Sequence, residues 1–290
     1  MRKYTLAAFN TQFPDDDACL EWLRRKRFPE LIDCPTCKEP RKFYRATGRK
    51  VYVCGTCGYQ LSPTAGTILA HSPTPMRSWF YAMFLMAQTR TGISAKQLQR
   101  ELGVTYKTAW RMFTKIRELM AEGNATLFGA VEADETYIGG KRPGKPGRGA
   151  AGKTIVFGMV ERGGKAYTQV TPDVKAKTLL PIIQEHIPTT PDTIIYTDEL
   201  RSYGRLGTLG YAHETVQHAA RQYVNGSAHV NTVESLWSNT KRGIDGVNHS
   251  VSPKYLQSYL DSYVFRYNHR KDDAPMFQTL LGRVSSSVKD

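Results

Sequence analysis

Two sets of side chains in this chain have types and spacings that could do chemistry. Cys34, Cys37, Cys54 and Cys57 form C-x2-C-x16-C-x2-C and account for four of the five cysteines. A tight C-x2-C turn presents two thiolates to one tetrahedral ion, and the loop between the pairs closes the other half, so the spacing predicts a four-thiolate zinc site. Disulfide pairing would need a secreted chain, and the first twenty residues, polar and carrying Asp15, Asp16 and Asp17, do not read as a signal segment. The second set is Asp134, Asp198 and Glu234. Three carboxylates converging beside a hydrophobic sheet would repel one another by several kcal/mol at ~4 Å and an effective dielectric near ~20. A divalent cation resolves that conflict. Mg²⁺, or Mn²⁺ in its place, accepts a few hard oxygen ligands and keeps water and substrate phosphate in its other positions. Two such ions about 3.5 to 4 Å apart would activate an attacking oxygen and stabilise the leaving 3′ oxygen of an in-line displacement at phosphorus.

Among the other acidic residues, Glu132 shares a strand face with Asp134 and could support it from behind, whereas Glu135 and Glu199 should point away from a site built on the aspartates. His213, His218 and His249 are more simply structural.

The elements that would position these groups read as mixed α/β over 125–290. Thr126 to Tyr137 is a predicted strand that carries Asp134. Thr154 to Val160 and Lys165 to Val170 form a predicted hairpin joined at Gly163-Gly164, and Thr193 to Thr197 is a buried strand that ends at Asp198. A helix between the last two is expected to start near Thr178, which puts Pro181 in its first turn, where a missing N–H is harmless. Another strand is expected from His213 to Gln217. A helix from about Ala228 to Arg242 places Asn231, Glu234, Ser238 and Lys241 on one polar stripe, beside an apolar stripe of Val230, Val233 and Trp237. Lys241 lies two turns from Glu234, a suitable place for a phosphate next to the scissile one. A last helix spans Lys254 to Tyr267, and the Gly-rich cationic stretch Gly139 to Lys153 reads as a loop that could grip a phosphate backbone.

Residues 76–89 put Trp79, Phe80, Met83, Phe84 and Ala87 on a helical stripe, the core of a small helical module. Then follow two short helices, the first capped by Ser94 and the second by Thr105, with Gly103 in the turn between them. In helix-turn-helix geometry Thr105, Tyr106, Lys107 and Arg111 would face the major groove of double-stranded DNA, with Lys115 and Arg117 nearer phosphates. A formal net charge of +14 favours a polyanionic partner. That excess is concentrated where the ribbon lies: residues 1–124 carry a net +10, and 125–290 a net +4. The ribbon itself is flanked by Arg41, Lys42, Tyr44, Arg45, Arg49, Lys50, Tyr52 and Tyr59. The longest apolar run, Trp79 to Ala87, is half a membrane span, so a soluble, cytoplasmic and nucleoid-associated protein with no membrane partner is expected. The expected organisation is a zinc ribbon at 1–70, a helix-turn-helix module at 71–124 and a catalytic domain at 125–290.

The cysteine knuckles, the helix-turn-helix, V-E-A-D-E-T-Y-I-G-G, the basic Gly loop, Y-T-D, and H-V-N-T-V-E-S-L-W-S-x-x-K-R-G follow one another in an order that resembles the zinc-ribbon transposases of bacterial insertion sequences, the ISXO2-like group. The resemblance covers nearly the whole chain. It implies a ribonuclease H-like catalytic fold with an Asp-Asp-Glu triad at Asp134, Asp198 and Glu234, and a Lys separated from the Glu by six residues, here Lys241. Ser227 and Val230 stand where some members have Tyr and Arg, leaving His229 and Asn231 as substitutes. The activity implied is recognition of terminal inverted repeats, hydrolytic release of a 3′-OH and attack of that 3′-OH on target DNA. Bringing two ends together would call for a homodimer or larger synaptic assembly. A structure-selective endonuclease on the same fold, or a zinc-ribbon regulator with an inactive catalytic domain, would share parts of this pattern.

Overall fold

The computed structural model describes residues 4–123, 125–139, 152–216 and 229–286. Ser227, His218, Gln217 and most of the Gly139 to Lys153 loop lie outside these. The chain divides into two compact units, one of 1–89, 95–119 and 271–290 and the other of 90–94 and 120–270.

The first unit opens with two helices ahead of the ribbon. In α1 (Leu6–Gln12) the Thr5 side chain accepts from the Ala8 N–H, and in α2 (Asp16–Arg27) Asp15 does the same for Ala18. Acidic residues in the first turn of α2 and four cations in its last turn suit the helix dipole. The ribbon follows: β1 (Ile32–Cys34) pairs antiparallel with β2 (Glu39–Arg41), and β3 (Phe43–Arg45), β4 (Tyr52–Cys54) and β5 (Gln60–Leu61) form a second small sheet. Then come α3 (Met76–Gln88), α4 (Ala95–Leu102) and α5 (Tyr106–Met120).

Five strands make the second unit's sheet. These are β6 (Ala130–Ile138), β7 (Thr154–Glu161), β8 (Ala166–Thr171), β9 (Ile194–Thr197) and β10 (Ala212–Thr215), in the order β10-β9-β6-β7-β8. β6, β7 and β8 are antiparallel neighbours, while β9 and β10 continue parallel to β6. An antiparallel three-strand meander extended by parallel strands on the side of its first member is the ribonuclease H-like arrangement. One face packs Val131, Ala133, Phe157 and Met159 against Leu179 and Ile183 of α6 (Ala176–His186). The other packs Ile138, Val156 and Val160 against Val233 and Trp237 of α7 (Asn231–Gly243) and Leu256 and Leu260 of α8 (Pro253–Asn268). Period-two alternation along β6 therefore sends Val131 and Ala133 to α6, and Glu132 and Asp134 to α7.

Two expectations change. Helix α6 starts at Ala176, so Pro181 sits inside it and not in its first turn. The earlier start is held by Asp173, whose Oδ1 accepts from the Lys175 N–H and the Thr178 hydroxyl. Pro181 is exposed, so the carbonyl it leaves unbonded can turn to water. The chain end also differs from a catalytic domain that runs to residue 290. Helix α9 (Met276–Ser286) belongs to the first unit because Phe277, fully buried, sets its ring 5.8 Å from that of Phe9 and 5.7 Å from that of Phe84.

The outer edge of β8 is occupied by side chains of α8. Asn268 accepts from the Ala166 N–H and donates to the Ala166 carbonyl. Gln257 accepts from the Val170 N–H at 2.8 Å and donates to the Thr168 carbonyl at 3.0 Å. Two carboxamides three turns apart thus take the hydrogen bonds a further strand would have made. Among the described residues no helix is long and apolar enough to cross a membrane.

Candidate active site and metal centres

The four cysteine sulfurs all lie within 4.8 Å of one another, with Cys34 Sγ 3.5 Å from Cys57 Sγ and Cys37 Sγ 3.9 Å from Cys54 Sγ. Zinc–sulfur bonds of about 2.3 Å in a tetrahedron need sulfurs about 3.8 Å apart, so the donor set fits the ion. Each knuckle closes the same way. The N–H of Lys38 returns to the Cys34 carbonyl and that of Gly58 to the Cys54 carbonyl, both residues in the left-handed region at φ 57 and 76. Gly adopts that conformation freely, whereas Lys38 is held there by its knuckle. The backbone N–H groups of Cys57 and Thr56 pull the Cys54 thiol down to about 6. Neighbouring sulfurs, Cys57 first, push Cys37 up to about 12. A dication would relieve the repulsion among four thiolates this close, and the donor set fits structural zinc.

Much of the basic charge around the ribbon is taken up internally. Arg41 pairs with Glu39, Arg45 with Asp17, and Lys50 Nζ donates to the carbonyls of Ser72 and Thr74. Tyr52 is buried against Glu21, while Tyr44 and Tyr59 remain exposed. In the helix pair α4–α5, Thr105 caps α5 by accepting from the Thr108 N–H, and Tyr106 and Lys107 are exposed at its start. Arg111 is differently placed: its guanidinium donates to the hydroxyls of Ser72 and Thr74 and lies over the Trp79 ring. Lys115 pairs with Glu118, and Arg117 is fully buried, its Nε donating to the Phe113 carbonyl.

In the second unit, β6 and β9 run parallel with Glu132 opposite Tyr196. Continuing that register by two residues brings Asp134 beside Asp198, and the Asp198 charge acts on Asp134. Burial first, then the charges of Glu135 and Asp198, raise the Asp134 carboxyl to about 7. Its Oδ2 accepts from Trp237 Nε1 at 3.0 Å. Asp198 Oδ1 accepts from the Leu200 N–H at 2.9 Å, which fixes the turn after β9. On α7, Asn231, Glu234, Ser238 and Lys241 are all exposed along one stripe, and Val233 and Trp237 are buried. Crowding by neighbouring atoms lowers the Lys241 ammonium, and the Asp134 charge opposes that shift, so Lys241 lies within electrostatic reach of Asp134. Among the described residues, only the ribbon cysteines converge as a group of three or more candidate ligands, and Glu234 does not close on the two aspartates.

The rival carboxylates have other partners. Glu132, fully buried, accepts from the N–H groups of Thr232 and Val233, the Thr232 hydroxyl and Arg162 Nε, and His229 Nδ1 lies 3.0 Å away. Helix α7 begins after Val230, which has no capping side chain, so Glu132 caps it from the neighbouring strand. Glu135 accepts from the buried Tyr203 hydroxyl. His213 Nε2 meets the Thr197 hydroxyl at 2.9 Å, and its own burial lowers its basicity. Sequence reasoning missed the cap at Glu132 and the Trp237 bond to Asp134. The one available signal was a Trp on the apolar stripe of α7, because a buried indole N–H needs an acceptor.

A four-thiolate ribbon and a ribonuclease H-like sheet with two adjacent aspartates define the broad class. Residues 126–268 match the ISXO2-like transposase domain, and residues 14–60 match the transposase zinc-ribbon domain. A transposase-like protein of Haemophilus influenzae is 32% identical over 105 residues, which cover 36% of this chain and 82% of that protein. A protein in the transposable element ISH50 of Halobacterium salinarum is 29% identical over 284 residues, 89% of this chain and 93% of that protein. The catalytic core of BIV integrase superposes with a TM-score of 0.32 at 14% identity, over 55% of this chain and 98% of that one. The chain belongs to the ISXO2-like transposase family.

Proposed function

We propose that this protein is a metal-dependent transposase that binds the terminal inverted repeats of its element, cleaves the ends by hydrolysis and joins the freed 3′-OH to target DNA. The observation that carries this reading is the juxtaposition of Asp134 and Asp198 across β6 and β9, with Asp134 held near neutrality by burial and like charge. Such a pair fits a divalent cation, which relieves the repulsion. Asp134 and Asp198 would hold Mg²⁺ or Mn²⁺, and Glu234, from the exposed stripe of α7, would complete the ligand set. When bound, the metal supplies Lewis acidity at the attacking and leaving oxygens. Lys241 contributes a cation for the adjacent phosphate, and Glu132 holds the start of α7 in register with β6. The domains of this reading remain a ribbon at 1–70, a DNA-binding helix pair at 71–124 and a catalytic region from 125.

The test is joining of a labelled oligonucleotide end to a plasmid by the zinc-loaded protein in Mg²⁺. Wild type should cleave and join, and Asp198→Asn should do neither while still binding the end. Cleavage without joining would make the protein a nuclease, and binding without either a regulator.

End recognition is assigned to α5 through Thr105, Tyr106, Lys107 and Arg111, with Lys115 and Asn231 as further contacts. The bonds of Arg111 to Ser72 and Thr74 separate two of these. Lys107→Ala should weaken end binding and reduce the slope of log affinity against log salt by about one, with an unchanged melting temperature. Arg111→Ala should lower melting temperature and affinity together. Unaltered binding in both variants would remove α5 from the DNA face.

A further inference from the structure

Asp134 and Trp237 are joined by more than one observation. The indole N–H donates to Asp134 Oδ2, and Asp134 stands opposite Gly158 in the β6–β7 ladder. A Cβ at Gly158 would lie 2.4 Å from the Trp237 ring, so the ring rests directly on the β7 backbone at the strand position paired with Asp134. Trp237 is buried on α7, one turn beyond Glu234. Its ring position is therefore dictated by the sheet, and its N–H has one place to point.

We propose that Trp237 is a positioning residue for divalent-metal binding: its N–H fixes the Asp134 carboxylate, and its ring, seated on Gly158, ties that carboxylate to the helix carrying Glu234. The proposal rests on the reading of Asp134 as a metal ligand. A carboxylate beside Asp198 would otherwise rotate away from the like charge, because the terminal torsion of Asp is broad. The N–H holds it in place before metal arrives, as partners behind a ligand commonly do. Glu132, two residues earlier on the same strand face, grips the N-terminus of the same helix, so β6 fastens α7 at two points.

Mn²⁺ binding to the zinc-loaded protein, read from the loss of the free-ion electron paramagnetic resonance signal, tests this without DNA or turnover. Asp134→Asn should lose the site. Trp237→Phe, which keeps an aromatic ring on Gly158, should weaken Mn²⁺ binding about tenfold. Replacement of Trp237 by benzothienylalanine, the same shape without the N–H, should weaken it equally, and it decides the matter if the Phe variant folds poorly. Wild-type affinity in the benzothienylalanine protein would overturn the proposal, whatever Phe does, since packing alone would then suffice. If wild type and Asp134→Asn bind Mn²⁺ alike, it is the metal-site reading itself that fails.

Discussion

Asp134→Asn is expected to end cleavage and joining and yet, without added Mg²⁺, to make the protein harder to unfold at pH 8. The first effect follows from loss of a charged oxygen ligand. The second follows from what burial and the neighbouring charges do to this carboxyl, which is raised from 3.8 to about 7. Between those values the native state keeps a proton that the unfolded chain has released, so native stability falls as pH rises through that window. Above pH 7 the native state carries a crowded negative charge. Asn can still accept the Trp237 N–H but carries no charge. The gain at pH 8 should be on the order of 1–2 kcal/mol, allowing for partial exposure, and should vanish by about pH 3, below the unfolded value of 3.8, where Asp134 is itself largely neutral in both states. Urea denaturation at the two pH values, with the joining assay at pH 8, gives the comparison. Retained joining would strike Asp134 from the site, and an earlier unfolding midpoint at pH 8 would show that a cation already compensates its charge.

The other large effect belongs to the ribbon. A Cys34→Ser, Cys57→Ser double variant takes one ligand from each knuckle and leaves two thiolates for an ion that needs four. Structural zinc in a module of this size is worth on the order of 10 kcal/mol or more. The strands concerned are only two or three residues long, so little else holds them. Metal analysis should show the zinc gone, and limited proteolysis should cut within 32–61, while cleavage sites in the β6–β10 sheet stay protected. Undiminished zinc content would refute the assignment.

The readable parts of this chain were those in which one residue type and one spacing suffice. Four cysteines announce a tetrahedral site wherever the chain places them, and the alternation along β6 and the 3.6-residue period of α7 put Asp134 and Glu234 on definite faces. What stayed hidden depends on partners distant in sequence. Glu132 looked like a rival or helper of Asp134 because nothing local says that Thr232 and Val233, 100 and 101 residues on, will present their N–H groups to it. The anchoring of Arg111 is equally hidden, since Ser72 and Thr74, 39 and 37 residues away, carry no local mark as its acceptors. The start of α6 is hidden as well, because the Asp173 side chain that opens it two residues before Thr178 is itself outside the helix. Phe277 was unplaced for the same reason: its aromatic neighbours lie at the opposite end of the chain.

The two carboxamides along β8 also set an order of events during synthesis. Asn268 follows Ala166 by 102 residues and Gln257 follows Val170 by 87. A ribosome adding about 5–20 residues per second releases β8 several seconds before the side chains that will close it. Throughout that interval the strand offers a bare row of donors and acceptors to any other extended chain nearby. A product that stopped short of α8 would keep that row open for good, so this edge is closed to its neighbours only once α8 itself has been made.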